Sequence, residues 1–422
     1  MLLTKMAARN LLRHPKRVAI TSIAIAVGVA GFILFDSLLS GWFTETERGY
    51  RNYEVASGRI VRDSWWQERD ELPLSESITD TAAVTSLLDD LGVPYTPRTE
   101  FLADLVFYED PYPSSGVYPT RVVAVDPERD ARIFDLAAAM EQPESRGEFL
   151  TDDTDGIVVG AALADDLHME VGYPVRLRFT GMEGYEEVVS SRVIGIAKTD
   201  SPIHNTTGVY MSLEAADYYL QTDGAVTGYA LEVPPGRRGN ELMRALRERL
   251  PEGYRILGYE QIAEAFVAMQ EAESSGANAI IFIVFLIAAV GVSNTMMMAV
   301  FERRREIGML RAQGVTDRSI VALFFLEGAG IGLVGAVVGV ALGAGVNVPL
   351  VNTGIDYGAL LGMQGDVVDM GAIALPSALK GVWRAQAFVA SAFAAVAVSS
   401  LVTWFPTRRL LRQDIPTNLR HD

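Results

Sequence analysis

The sequence predicts an α-helical membrane protein with four transmembrane helices and an α+β extracytoplasmic domain inserted between helices 1 and 2. Three observations carry this expectation. The apolar residues, 49% of the chain, are concentrated in four windows rather than spread as in a soluble fold. Cations gather in three short flanks of those windows. The long segment after the first window is acidic and alternates strand and helix patterns.

Spanning a bilayer takes about 20 consecutive apolar residues. Windows at 18–43, 278–300, 320–348 and 388–405 meet or approach that length. The last is short, so its helix is expected to begin near Trp383, with Arg384 snorkelling at the interface. Lys5, Arg9, Arg13, Lys16 and Arg17 precede the first window, Arg303, Arg304, Arg305 and Arg311 separate the second and third, and Arg408, Arg409, Arg412 and Arg420 follow the fourth. Basic residues in short flanking loops stay on the cytoplasmic side. All three clusters can lie there only with four crossings and both termini inside, which puts 42–275 outside the cell membrane.

The expected organisation follows: a cytoplasmic interfacial amphipathic helix over 1–16, transmembrane helix 1 over 17–43, an extracellular α+β domain over 44–275, and transmembrane helix 2 over 276–300. A cytoplasmic helical loop over 301–316, transmembrane helix 3 over 317–348, an extracellular loop over 349–382, transmembrane helix 4 over 383–405 and a cytoplasmic tail over 406–422 complete it. In the first segment Lys5, Arg9 and Arg13 share one helix face, opposite Leu3, Ala7 and Leu11.

The outer segment holds 43 acidic against 20 basic residues, and arginine outnumbers lysine 32 to 4 in the whole chain. This acid-rich, lysine-poor habit resembles proteins of salt-loving archaea, and it argues against nucleic-acid binding. There is no cysteine, so the domain must be held by its core. "TAAVTSLLDDLG" reads as a helix with a glycine stop, "YPTRVVAVD" and "EEVVSSRVIGIAK" as strands, and "GIVVGAALADDLHMEVGYPVRLRF" as strand, short helix, turn at Gly172 and strand. Two late helices, "ELMRALRERL" and "YEQIAEAFVAMQEAE", are separated by Pro251 and Gly253; the second has no strong breaker before the membrane and could form a continuous strut. A two-lobed domain divided around 111–116 is expected.

Several chemistries are excluded or weak. No G-x-x-x-x-G-K-[ST] loop occurs, so no cofactor is expected on this chain and ATP would have to be bound by another subunit. His14, His168, His204 and His421 lack metal spacing, and no G-x-S-x-G elbow is present. The acidic turn "TDDTDG" lacks the first and twelfth ligands of a calcium loop. Asn205 opens an N-T-T sequon on the outer face, a site for glycosylation by pattern alone. Glu327 lies well inside a membrane window; either it hydrogen-bonds the polar patch Ser293, Asn294 and Thr295 and fixes the bundle, or it belongs to an ion pathway. Gly328 and Gly332 are four apart, as are Gly335, Gly339 and Gly343, which suits close helix packing either within the chain or between subunits.

The charged stretch "FERRREIGMLRAQGV" joins the second and third windows. Its arginines satisfy the positive-inside bias, but Ile307, Met309 and Leu310, the stop at Gly314 and the cap at Thr316 describe a helix with apolar side chains at the cytoplasmic surface, a docking element. The surrounding "SNTMMMAVFERRREIGMLRAQGVTDRSIVALFFLEGAGIGLVGAVVG" resembles the signature of the FtsX/MacB-like family of ABC-transporter permeases. Glu302, Arg303, Arg305, Glu306, Ile307, Gly308, Leu310, Arg311, Ala312 and Gly314 match its loop motif. The resemblance implies a coupling helix seated on a separate ABC ATPase, pairing with a second permease subunit, and movement of the outer domain driven by the ATPase. Ile307, Met309 and Leu310 would dock there while Arg305, Glu306 and Arg311 set register. A lipophilic, peptide or lipoprotein substrate for export or extraction is implied, with no enzymatic activity of the chain's own. The alternative is a membrane-anchored regulator or binding protein controlling an extracellular enzyme.

Overall fold

A computed structural model of the chain describes residues 2–13, 15–109, 114–151, 155–302, 304–356, 367–369, 374–376 and 378–411. Among them eight helices have nine residues or more: α1 (Leu2–Arg13), α2 (Pro15–Tyr50), α3 (Thr81–Leu91), α4 (Arg237–Arg249), α5 (Glu264–Glu302), α6 (Arg304–Ala312), α7 (Asp317–Asn352) and α8 (Ala385–Leu411). Ten strands form one large sheet: β1 (Gly58–Arg62), β2 (Tyr95–Glu109), β3 (Ser114–Val125), β4 (Arg146–Gly147), β5 (Ile157–Gly160), β6 (Pro174–Thr180), β7 (Glu186–Ala197), β8 (Val209–Ser212), β9 (Gly228–Leu231) and β10 (Tyr254–Leu257). The chain divides into a membrane unit of Met1–Phe43, Met269–Ile355 and Leu379–Asp422 and an outer unit of Thr44–Ala268 and Asp356–Ala378. Of the expected loop, the described residues 356, 367–369, 374–376 and 378 therefore group with the outer unit.

In the membrane unit, three helical segments among the described residues are long and apolar enough to cross a bilayer, Val18–Val55, Asp317–Asn352 and Ala385–Trp404. The remaining expected window falls inside α5. The glycines of α7 form two faces that meet different helices. A Cβ on Gly328 would lie 2.2 Å from Thr403 Oγ1 and one on Gly332 2.9 Å from Val396 Cα, both in α8. A Cβ on Gly335 would lie 2.8 Å from Ile25, on Gly339 2.7 Å from Val29 and on Gly343 3.0 Å from Ile33, all in α2. Only hydrogen at these positions lets the backbones come this close, so the glycine spacing serves packing within the chain. Partner positions rise together in α2 and α7 and run oppositely in α7 and α8; α2 and α7 are parallel, α8 antiparallel. Ile25, Val29, Ile33, Ile331, Ala336 and Ala395 make the buried core between them.

Two contacts mark the edges of this unit. α1 packs on α7, where a Cβ on Gly330 would meet Leu11 at 2.5 Å, and Ala7 is buried. Arg384 pairs with Asp36 at 3.2 Å and donates to Ser40 at 2.6 Å.

In the outer unit, β2, β3, β8, β5, β7 and β6 pair in a closed circuit, β6 returning to β2. Side-chain alternation fills this barrel: Val175, Leu177 and Phe179 of β6 point inward, and Arg176 and Arg178 between them point out. β5 and β8 are buried at every residue, since Ile157, Val159, Val209 and Met211 join the barrel interior while Val158 and Tyr210 join a second cluster outside it. A separate core sits under β1, β9 and β10, where Ile60, Tyr229, Leu231 and Ile256 meet Val84 and Leu88 of α3 and Leu246 of α4. Asp80 caps α3 and Gly92, at φ 62°, ends it as the sequence predicts.

The outer unit holds two separate cores, and the chain does not divide at 111–116. β2 and β3 pair continuously from Arg98↔Val125 to Glu109↔Ser114, so both flanks of that segment belong to the barrel. The lobes share β2 instead: its residues 95–98 pair with β9 and the rest with β3 and β6.

Candidate functional site

α6 is amphipathic in a way that assigns its faces. Arg305, Glu306, Met309, Ala312 and Gln313 are exposed, at i, i+1, i+4, i+7 and i+8, one continuous stripe of a helix. Ile307 and Gly308 are buried, and Leu310 and Arg311 half-buried, on the opposite side. Ile307 packs with Ile320 and Phe324 of α7 and Leu411 of α8, flanked by Leu310, Val315 and Val321.

The end of α6 is closed by a Schellman motif. Val315 N–H donates to Leu310 C=O and Gly314 N–H to Arg311 C=O, each at 3.0 Å, with Gly314 at φ 87°. Thr316 then caps α7 through Ser319 N–H. Arg311 Nε lies 3.0 Å from Asp317 Oδ1, an ion pair across the turn. Sequence, turn and core thus fix α6 against α7.

Of the residues expected at this site, Glu302 ends α5 exposed, Arg305, Glu306 and Met309 lie on the open stripe, and Arg303 is outside the described residues. Ile307 is turned inward at 2% exposure, Leu310 is half-inward, and Arg311 is engaged by its own chain. The expected outward docking by Ile307 is therefore corrected, because α6 needs an apolar face for α7 and α8. Ala312 and Gln313 were missed, although the 3.6-residue period that includes Met309 selects them.

The other predicted sites fare differently. Glu327 is buried, Asn294 is exposed and Ser293 half-buried; the side chain of Thr295 is outside the described ones. Asn205 is 3% exposed, its Oδ1 accepting from Thr199 N–H at 2.8 Å and its Nδ2 donating to Thr199 C=O at 2.9 Å. At 3% exposure the side chain has no room for a glycan on Nδ2, so the sequon is structural in the folded domain. Residues 152–154 of the acidic turn lie outside the described residues. Among the described residues no three His, Asp or Glu side chains converge as for a metal.

A second constellation, invisible in the sequence, sits in the outer unit where the helical chain of α2 runs out through Arg51–Val55. Arg98, fully buried, bonds Asp130 twice at 2.8 and 3.0 Å and donates to Tyr53 C=O at 2.6 Å, with its guanidinium 3.4 Å from the Phe134 ring centre. Arg121 pairs with Glu54 at 2.8 Å, and Asn52 donates to Asp135 at 2.7 Å. Tyr50 packs on Tyr259 and Phe266, where the chain enters α5. Behind them His204 bonds Ser201 Oγ at 2.8 Å; burial pushes its pKa down to about 4 against the pull of Glu54, so it is neutral at pH 7. A cavity of about 270 Å³ is lined by Tyr50, Glu54, Arg121, His204 and Tyr210. Deeper in, Arg59 and Glu100 form a buried pair at 2.5 Å.

Comparison with known proteins adds the family. Residues 18–249 match the model of the MacB-like periplasmic core domain, and residues 278–415 that of the FtsX-like permease C-terminal. The chain is 29% identical over 157 residues to an uncharacterized ABC transporter permease of Methanocaldococcus jannaschii, covering 36% of this chain and 39% of that one. It is 23% identical over 247 residues to the macrolide export ATP-binding/permease protein MacB of Escherichia coli, covering 56% and 35%. It is 22% identical over 339 residues to the lipoprotein-releasing system transmembrane protein LolC of Neisseria meningitidis serogroup B, covering 77% and 76%. The matches span under two fifths of the first two relatives and about three quarters of the third.

Proposed function

The chain belongs to the FtsX/MacB-like family of ABC-transporter permeases, and from that premise we propose that α6 docks on a separate ATPase subunit whose cycle moves the outer domain. The observation that carries the reading is the division of α6 into two faces. One is committed to α7 and α8 through Ile307, and the other presents Arg305, Glu306, Met309, Ala312 and Gln313 to solvent. A free surface helix would not need the first face, and a mere structural turn would not need an apolar Met309, half exposed, on the second.

In this reading α5 is the second of four transmembrane helices, both termini are cytoplasmic and the outer unit is extracellular. ATP is bound by the partner, a second permease subunit completes the membrane assembly, and the work is export or extraction of a lipophilic, peptide or lipoprotein substrate. Glu302, Arg305, Glu306 and Met309 carry the contact. The role first expected of Arg311, pairing with the partner, passes to holding α6 on α7.

The test is co-purification of the full chain with a candidate ATPase, before and after Glu306→Lys combined with Met309→Asp. Loss of the complex, with the chain still monodisperse, is expected. An unchanged complex with unchanged ATPase activity defeats the proposal.

A further inference from the structure

We propose that α1 and the start of α2 form a binding site for anionic phospholipid headgroups at one edge of the membrane unit, with Arg9, Arg13 and Lys16 as its cations and Leu12 as the apolar anchor between them.

The helices of the unit fix the depth of that edge. The apolar segment of α8, Ala385–Trp404, has 20 residues, which at the rise of an α-helix is about 30 Å, the hydrocarbon thickness of a bilayer. Arg384, paired with Asp36, marks one end of it. Trp404 marks the other, with the exposed guanidinium of Arg408 5.0 Å from its ring centre, an aromatic and a cation where hydrocarbon meets headgroups. Gly328 of α7 packs on Ser399 and Thr403 just inside that second end, and two turns further along α7 Gly335 packs on Ser22 and Ile25 of α2. Because α2 and α7 are parallel, stepping both back by two turns brings residues 15–18 of α2 to the level of Gly328. The apolar run of α2 begins there, at Val18, directly after Lys16 and Arg17.

α1 reaches the same depth by folding back. Leu11 meets Gly330 of α7 and packs against the core of Ile25 and Ile331; in a straight continuation of α2 it would stand about 10 Å beyond Val18. Ala7 is buried and Met6, Asn10 and Leu11 half-buried on one side of α1. On the other side Arg9, Leu12 and Arg13 are exposed, at i, i+3 and i+4, Leu12 to 81%, and Lys16 extends the exposed cations into α2. Hydrocarbon would not accept three charges, and water gains nothing from so open a leucine. At headgroup depth both are satisfied, with Leu12 among acyl chains and the cations on phosphate. Among the described residues no carboxylate pairs with Arg9, Arg13 or Lys16, although the chain carries a net charge of -17. Their charge is therefore left for a phosphodiester.

The experiment titrates the full chain in detergent with phosphatidylglycerol or with phosphatidylcholine and counts bound lipid by native mass spectrometry. The parent should prefer phosphatidylglycerol. Each cation adds about fivefold at an anionic surface, so Arg9→Gln with Arg13→Gln and Lys16→Gln should weaken phosphatidylglycerol binding by at least about tenfold and leave phosphatidylcholine binding unchanged. Arg244→Gln with Arg247→Gln and Arg249→Gln removes equal charge from exposed positions on α4 of the outer unit, and should change neither. Equal weakening in the two triple variants, or none in the first, overturns the site. Displacement of the lipid by millimolar inorganic phosphate would assign the cations to free phosphate and also overturn it. A parent without preference for phosphatidylglycerol leaves the stripe to a protein partner, against the proposal.

If the first triple variant does not fold, photoreactive phosphatidylglycerol on the parent decides. Label in peptides from residues 2–18 supports the site, and label confined to other segments refutes it. No part of the ATPase contact is involved, so failure here leaves the function proposed above standing.

Discussion

Replacing Asp130 by Ala removes both carboxylate bonds from Arg98, whose side chain is 2% exposed. The guanidinium keeps only Tyr53 C=O and the face of Phe134. Breaking one partner out of a buried ion pair costs about 3–5 kcal/mol, because an uncompensated charge stays behind. Removing both charges with Arg98→Met and Asp130→Leu should recover most of that loss, since apolar replacement of buried pairs is often neutral. Hydrogen exchange by mass spectrometry on the full chain in detergent reads the effect locally, in the amides of β2 and β3 that bracket Arg98. Opening free energies lower by that amount speed exchange on the order of 100-fold to several thousand-fold. An acceleration under tenfold in Asp130→Ala, or a double variant as fast as the single one, would refute the claim that this pair holds the end of α2 in the domain.

Three further expectations are independent of that clamp. Asn205→Ala should leave Thr199 N–H buried without its acceptor and lower stability by about 1–3 kcal/mol, and intact-mass analysis of chain secreted through a glycosylating pathway should show no glycan at Asn205. Ile307→Ala should destabilise the membrane unit by about 2–5 kcal/mol in thermal unfolding, while Met309→Ala shifts the midpoint little and weakens only ATPase association. His204 binds its proton with a pKa of about 4 folded against 6.5 when unfolded. The unfolded chain thus holds more protons between these values, so stability present above pH 6.5 is lost as pH falls toward 4, by roughly 3 kcal/mol; unfolding midpoints at pH 7.5 and 4.5 should converge in His204→Gln by that amount relative to the parent.

Much of this was legible in the chain because local rules govern it. Gly314 and Thr316 mark the turn that the Schellman motif and cap occupy, and β6 reads directly from P-V-R-L-R-F-T. The glycine spacing in α7 announced close packing but not its partner. Which helix meets each face depends on sequence separations of about 70 to 310 residues, as in Gly328 with Ser399 and Gly339 with Val29. The loop motif implied a docking role for α6 without distinguishing its faces, so Ile307 was expected outside. Only Ile320, Phe324 and Leu411 explain why it is inside. The clamp was not legible at all: Arg98, Asp130, Glu54, Arg121 and His204 look like ordinary members of an acidic, arginine-rich segment until the barrel brings them together. The lobe division was misplaced for a related reason, since prolines and glycine at 111–116 signal a turn, and a turn can join two strands of one hairpin as readily as two lobes.

The central claim, that α6 receives an ATPase on one face and its own chain on the other, is tested most directly by site-specific cross-linking. A short thiol-reactive photocross-linker is placed at Met309→Cys or Ile307→Cys in the cysteine-free chain, and the products formed with the co-purified ATPase are identified. The account predicts cross-links from position 309 to the ATPase and only intrachain products from position 307. ATPase products from 307, or none from 309 in an intact complex, would contradict it.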